Sequence, residues 1–241
     1  MSQTAMDTHL EAIRTQLRAL AEPRFREGAA RYFQGSATLY GVRAPAVRRI
    51  AQELYREVRA WPLAQRNRLC TELWKGGTLE EGGVAIYLYQ RFHRQCGLCE
   101  FQLFEKWIDR FVHNWAHCDG VATGLVAAAI RNEPALLERV PPWTASQNRW
   151  KRRAAAVSLV REARAGRHTA EILRVADALL ADADDMVRKG VGWLLKDAYP
   201  AKPKEVLAFL LPRAARAPRL ALRIACEKMT ASDRAAVRAA G

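Results

Sequence analysis

No apolar run in this chain approaches the ~20 residues that a helix needs to cross a membrane. The densest stretch, Gly120 to Ile130, is far shorter. Met1 to Gln16 is polar and lacks the apolar core of a secretory signal, so the expected setting is cytoplasmic, with no membrane partner. The five cysteines, an odd number, read as thiols rather than a disulfide framework. Strand signals are scarce, and no low-complexity linker divides the chain. The GxGxxG, Walker A, GxSxG and HExxH patterns are missing, which leaves the common dinucleotide, phosphate-loop, serine-hydrolase and zinc-protease templates without support. Acidic residues are also short: 25 Asp and Glu stand against 39 Lys and Arg, a formal net charge of +14. Such an excess favours nucleic acid, an anionic surface or an acidic protein as partner. The plainer alternative is a basic protein with arginine scattered along its length.

What is present is helical periodicity. The 241 residues are enough for one large domain with a sizeable core. Leu10, Ile13, Leu17 and Leu20 form one apolar stripe, and Val47, Ile50, Leu54 and Val58 another in a helix opened by Pro45. Leu69, Leu73 and Trp74 follow Pro62. Thr78 and Glu81 fit a capping box ahead of Val84, Leu88 and Phe92. Phe101, Phe104 and Ile108, with Phe111 or Val112, make the next stripe. Trp115 to Ile130 reads as one helix. Ser146 is expected to cap a helix reaching about Ala163, and Thr169 to Leu180 forms the next. Asp184 is expected to cap a helix reaching about Tyr199. Pro203 and Pro218 open two more, and a short terminal helix follows.

Two segments look alike at a spacing of 36. Arg152 and Arg153 in the first match Arg188 and Lys189 in the second, and small residues follow in both. A period of this size points to stacked helix pairs. The expectation is an all-α solenoid of HEAT-like pairs, curved, with a positively charged concave face. It forms one domain over residues 1–241, with 1–60 as atypical N-terminal cap helices and 61–241 as repeats.

Some residues in this pattern carry chemistry. Trp115 and Asp119 are four apart and share a helix face. An aromatic ring beside a carboxylate suits a cation or a transition state that becomes cationic; a core tryptophan with a surface acid is the ordinary alternative. Arg149, Lys151, Arg152 and Arg153 crowd a helix N-terminus, where cations are disfavoured by the dipole. A bound phosphate would explain them, as it would Arg188 and Lys189; a solvated basic face with acidic partners is the competing view. Trp193 aligns with Val157 in the repeat and fits a core slot. Gly190 and Gly192 beside it allow close approach of a backbone or ligand. Cys96, Cys99, His113 and His117 have the spacing of a zinc finger. However, Leu103, Phe104, Trp107 and Phe111 read as a helix where a finger needs a hairpin. No metal and no cofactor are expected.

Three motifs together resemble the DNA alkylation repair family, the AlkD-type DNA glycosylases. They are Asn-Trp115-Ala-His-Cys-Asp119, Ser146-Gln-Asn-Arg-Trp150-Lys-Arg-Arg153 and Arg188-Lys-Gly-Val-Gly-Trp193. Ala30-Arg-Tyr32 and Gly41-Val-Arg-Ala-Pro45 resemble the same family's N-terminal signature. The resemblance implies stacked HEAT-like pairs around duplex DNA and hydrolysis of the glycosidic bond of cationic alkylpurines such as 3-methyladenine and 7-methylguanine. By position it makes Asp119 the catalytic carboxylate and Trp115 and Trp193 the aromatic walls. It makes Arg153 the DNA-contacting arginine and puts Tyr32 near the lesion. Beside it, Arg149, Lys151, Arg152, Arg188, Lys189 and Arg43 are expected to contact the DNA. Many members carry an acid directly after the first tryptophan, where this chain has Ala116. The expected protein is a monomer acting on alkylated duplex DNA. A non-catalytic HEAT-like scaffold that grips DNA is the alternative, and a protein-binding solenoid a third.

Overall fold

A computed structural model describes residues 3–33 and 37–241. It is all-α: among the described residues the only extended pairing is a single bridge between Thr38 and Thr78. Two compact units divide the chain, Met1–Leu125 and Val126–Gly241.

The first unit contains α1 (Gln3–Ala19), α2 (Pro23–Tyr32), α3 (Ala44–Val58), α4 (Leu63–Lys75), α5 (Leu79–Arg91), α6 (Leu98–Arg110) and α7 (Trp115–Asp119). The predicted stripes supply its core. Leu10, Ile13 and Leu17 are buried on α1, and Val47, Ile50, Leu54 and Val58 on α3. Leu69, Leu73 and Trp74 are buried on α4, and Phe101, Phe104 and Ile108 on α6. Removing each such side chain from water contributes about 1.5–3 kcal/mol. At the end of α6, Val112 is buried and Phe111 is not. Helix α5 lies at the centre, packed by α3, α4 and α7. Thr78 caps it as expected, its hydroxyl accepting the Glu81 N–H at 3.1 Å. The capping box stays half-made, because the Glu81 carboxylate goes to the Tyr40 hydroxyl at 2.8 Å and to Arg14.

Glu80, also on α5, anchors the entry to α3. Its carboxylate accepts the backbone N–H groups of Tyr40, Gly41 and Val42 at 2.8–3.0 Å. Gly41 has a φ of 95°, and a Cβ there would stand 2.6 Å from Arg26 Cβ. Only glycine fits, a local reason for the Gly41–Pro45 signature.

The second unit holds α8 (Ala127–Asn132), α9 (Arg149–Val157), α10 (Val160–Arg164), α11 (Thr169–Leu179), α12 (Asp185–Ala198), α13 (Pro203–Leu210), α14 (Arg219–Ala225) and α15 (Ala231–Ala239). Helix α12 is central, packed by α9, α10, α11 and α14. The two look-alike segments fall on α9 and α12, which lie side by side. Gly190 is where they touch: a Cβ there would meet Arg153 Cγ and Val157 Cγ1 at 3.3 Å. Gly192 admits α14, with Ile224 Cβ 2.7 Å and the Ala221 carbonyl 3.0 Å from the Cβ position. Both glycines therefore serve packing.

Three expected boundaries move. Asn148 caps α9 in place of Ser146, its Oδ1 accepting the Trp150 N–H at 2.9 Å, while the Ser146 hydroxyl accepts the Asn148 N–H. The helix also ends at Val157, and α10 begins after a turn at Ser158 and Leu159. The single helix expected over Trp115 to Ile130 is three pieces: α7, a π-helical stretch Gly120–Val126, and α8. The Thr123 hydroxyl bonds back to the Asp119 carbonyl at 2.7 Å, a side-chain bond that competes with the helical ladder. Asp184 caps α12 as expected, accepting the Met186 N–H at 2.7 Å.

Candidate active site

The first unit brings Trp115 and Tyr32 together, with Asp119 one helical turn on from the tryptophan. Asn114 starts α7 by accepting the His117 N–H at 2.9 Å, a standard N-cap worth about 1 kcal/mol. Trp115 is then the first helical residue and Asp119 lies one turn on, both half-buried. The Trp115 ring stacks on Phe33, with centroids 5.8 Å apart, and meets Tyr32 edge-on at 5.9 Å. Tyr32 is the most exposed large apolar ring described, at 69%. The result is an aromatic cluster beside a carboxylate on one turn of helix. Arg43, at the entry to α3, is exposed; it holds Glu22 through Nε at 2.9 and 3.0 Å and lies over the Phe25 ring.

The second unit places the basic residues around the Asp182–Asp185 loop. Arg152 grips Asp182 at 2.7 and 3.1 Å and also bonds the Ser146 carbonyl. Arg149 reaches Asp184 at 3.2 Å and lies over Trp150. Arg188 bonds the Asp182 carbonyl and the Asp185 carboxylate. These acids supply much of the negative charge that the two helix N-termini attract, and each of these three arginines has an acidic partner within the protein. Lys151 lies 5.9 Å from the Trp143 ring centroid, and Lys189 is exposed. Arg153 is different: only 6% exposed, it packs its stem on Gly190 and donates to the Met186 carbonyl.

Trp193 donates its indole N–H to Asp197 at 2.8 Å. Asp197 is buried and also takes hydrogen bonds from Arg164 and Lys228. Burial pushes its carboxyl pKa up, but the bonds from Lys228, Arg164 and Trp193 outweigh that and leave it below the usual aspartate value.

A model of the DNA alkylation repair enzyme family matches residues 13–229. The chain belongs to this family. A search of curated proteins finds no match. Among solved structures, the chain is similar to a predicted DNA alkylation repair enzyme from Enterococcus faecalis. The TM-score is 0.79 at 16% identity, over 88% of this chain and 97% of that one. It is also similar to smu.31 from Streptococcus mutans UA159. There the TM-score is 0.60 at 16% identity, over 78% of this chain and 99% of that one. At these identities the likeness is one of fold.

Within this family member, the sequence pattern did not single out Asp197 or give His117 a role. Asp197 repeats the Trp-to-Asp spacing of Trp115 and Asp119, a signal that was visible. His117, grouped by spacing with two cysteines and a histidine, has both ring nitrogens occupied by Leu79 and Asn114. Cys96 is buried with its thiol on the Phe92 carbonyl, whereas Cys99 is exposed. Among the described residues no helix is long and apolar enough to cross a membrane.

Proposed function

We propose that this chain is a DNA glycosylase that releases cationic alkylated purines from duplex DNA by hydrolysing the glycosidic bond. The observation that carries the reading is the Trp115–Asp119 turn, with Tyr32 against the tryptophan. An alkylated purine is already positively charged and leaves easily. Its C1′–N bond breaks with both electrons going to the base, which departs neutral. Positive charge passes to the deoxyribose, which becomes oxocarbenium-like. The Asp119 carboxylate stabilises that charge and orients the water that attacks C1′, as a carboxylate does in glycoside hydrolysis. Trp115 and Tyr32 hold the cationic nucleotide through ring faces and edges, with about 0.5–2 kcal/mol per well-placed cation–π contact. No acid is required for so good a leaving group.

The second unit supplies phosphate contacts through Lys189, Lys151 and the donors that Arg149, Arg152 and Arg188 do not spend on the Asp182–Asp185 loop. Trp193 contributes through its ring face alone, because its N–H is committed to Asp197. Base release from duplex DNA carrying 7-methylguanine, together with a salt titration of DNA binding, tests the proposal. The expected result is released base and an affinity that falls steeply with salt. Salt-sensitive binding with no release would make the chain a DNA-gripping scaffold instead.

A further inference from the structure

The turn that carries Trp115 and Asp119 opens a helical run that continues directly into the π-helical stretch Gly120–Val126. A buried side chain outside the proposed chemistry holds the turn. The His117 ring is 6% exposed and meets Trp74 edge-on at 4.7 Å. Its Nε2 lies 2.9 Å from the carbonyl oxygen of Leu79, the first residue of α5. A carbonyl only accepts, so Nε2 carries the hydrogen and Nδ1 of the neutral ring is an acceptor. Nδ1 lies 3.2 Å from the Asn114 amide nitrogen, a donor. Asn114 is itself fixed, because its Oδ1 accepts the His117 N–H. A proton on Nδ1 would set donor against donor, and Asn114 cannot turn to relieve this without giving up the cap.

The space for the ring is reserved as well. A Cβ on Gly82 would stand 2.6 Å from both Cε1 and Nε2 of His117. Of the ionisable groups on the adjoining segments, Glu80 is spent on the backbone at 40–42, and Glu81 on Tyr40 and Arg14. Burial pushes the His117 ring pKa down to about 4; the bond to the Leu79 carbonyl works against this, and nearby His113 adds a smaller push down.

We propose that neutral His117 is the positioning residue of this site, fixing the Trp115–Asp119 helix to α5 through Asn114 and the Leu79 carbonyl. Its effect on catalysis rests on the glycosylase reading; its effect on the helix does not. Two readouts separate the two. In nitrogen-15 NMR of the whole protein, His117 should be the Nε2–H tautomer and stay neutral down to about pH 5. Backbone amides 115–119 should exchange faster in His117→Ala than in the wild type, with α3 and α4 unchanged. His117→Gln keeps a donor for Leu79 and should restore part of the protection. Base release should fall on the order of 100-fold in His117→Ala, the loss expected from a misplaced catalytic group, with DNA affinity kept, and recover partly in His117→Gln. An Nδ1–H tautomer, titration near pH 6.5, or unchanged exchange at 115–119 would overturn the proposal. If the wild type released no base while the NMR and exchange results held, the glycosylase reading would fail and the positioning role would stand.

Discussion

The chain contains two Trp-x-x-x-Asp turns, one in each unit, and they are built for different ends. In the second unit Trp193 gives its N–H to Asp197, and Arg164 and Lys228 close around the same buried carboxylate. That aspartate has its charge matched within the protein and helps hold α10, α12 and the turn after α14 together. In the first unit Trp115 turns to Phe33 and the exposed Tyr32, and Asp119 remains partly open at the end of a five-residue helix. The same residue pair is thus a strut in one place and a candidate reaction site in the other. Spacing sets which face the two residues share; at Asp197 the three donors that close on the carboxylate make the pair structural.

The comparison can be broken by stability measurements. Asp197→Ala should cost about 1–3 kcal/mol, the usual price of leaving buried hydrogen-bond donors unpaired. Arg164 and Lys228 are about half exposed and recover water, so the larger cost of an orphaned buried charge does not apply. Asp119→Ala should cost less than Asp197→Ala, because Asp119 is half-buried where Asp197 is buried. Urea midpoints measure both, and equal losses would erase the distinction.

Acid titration sharpens it further. His117 has a folded pKa of about 4, below its usual 6.5. The unfolded chain therefore takes up the proton first, and stability falls as pH drops from about 6.5 to 4. Asp197 is depressed below 3.8, so its contribution is present above about pH 4 and is lost only below it. His117→Gln should remove the first decline and leave the second; Asp197→Asn should do the reverse. A single decline abolished by neither substitution would contradict both assignments.

The smallest effect concerns the basic face. Lys189 is exposed, and Lys189→Ala should leave the melting temperature unchanged while reducing the salt slope of DNA binding by about one. Arg153→Ala is a poorer probe, because that buried side chain also holds the Met186 carbonyl. A slope unchanged by Lys189→Ala would take this residue off the DNA.

Much of this architecture was legible before any coordinates. Helical stripes such as Val47, Ile50, Leu54 and Val58 named the buried face, since apolar burial follows the 3.6-residue period. Asp184 and Thr78 announced their helices because a cap is local chemistry. The two segments matched at a spacing of 36 fall on α9 and α12, which pack together. The rest turned on competition between neighbouring caps or on contacts distant in sequence. Ser146 lost the cap to Asn148 two residues on. In the π-helical stretch after Asp119, Thr123 bonds backwards and the glycines pack on Ile86 and Gln90. Nothing in the spacing of His117 shows that Gly82, 35 residues earlier, leaves room for its ring. The acidic partners of Arg149 and Arg152 were hidden for the same reason: they lie in a loop 30 or more residues away.

The most direct test is the single-turnover rate of 7-methylguanine release by wild type, Asp119→Asn and Asp197→Asn, each checked for folding and DNA binding. The account predicts that Asp119→Asn loses at least about 100-fold in rate with binding intact, while folded Asp197→Asn stays near the wild-type rate. Wild-type release in Asp119→Asn would contradict it.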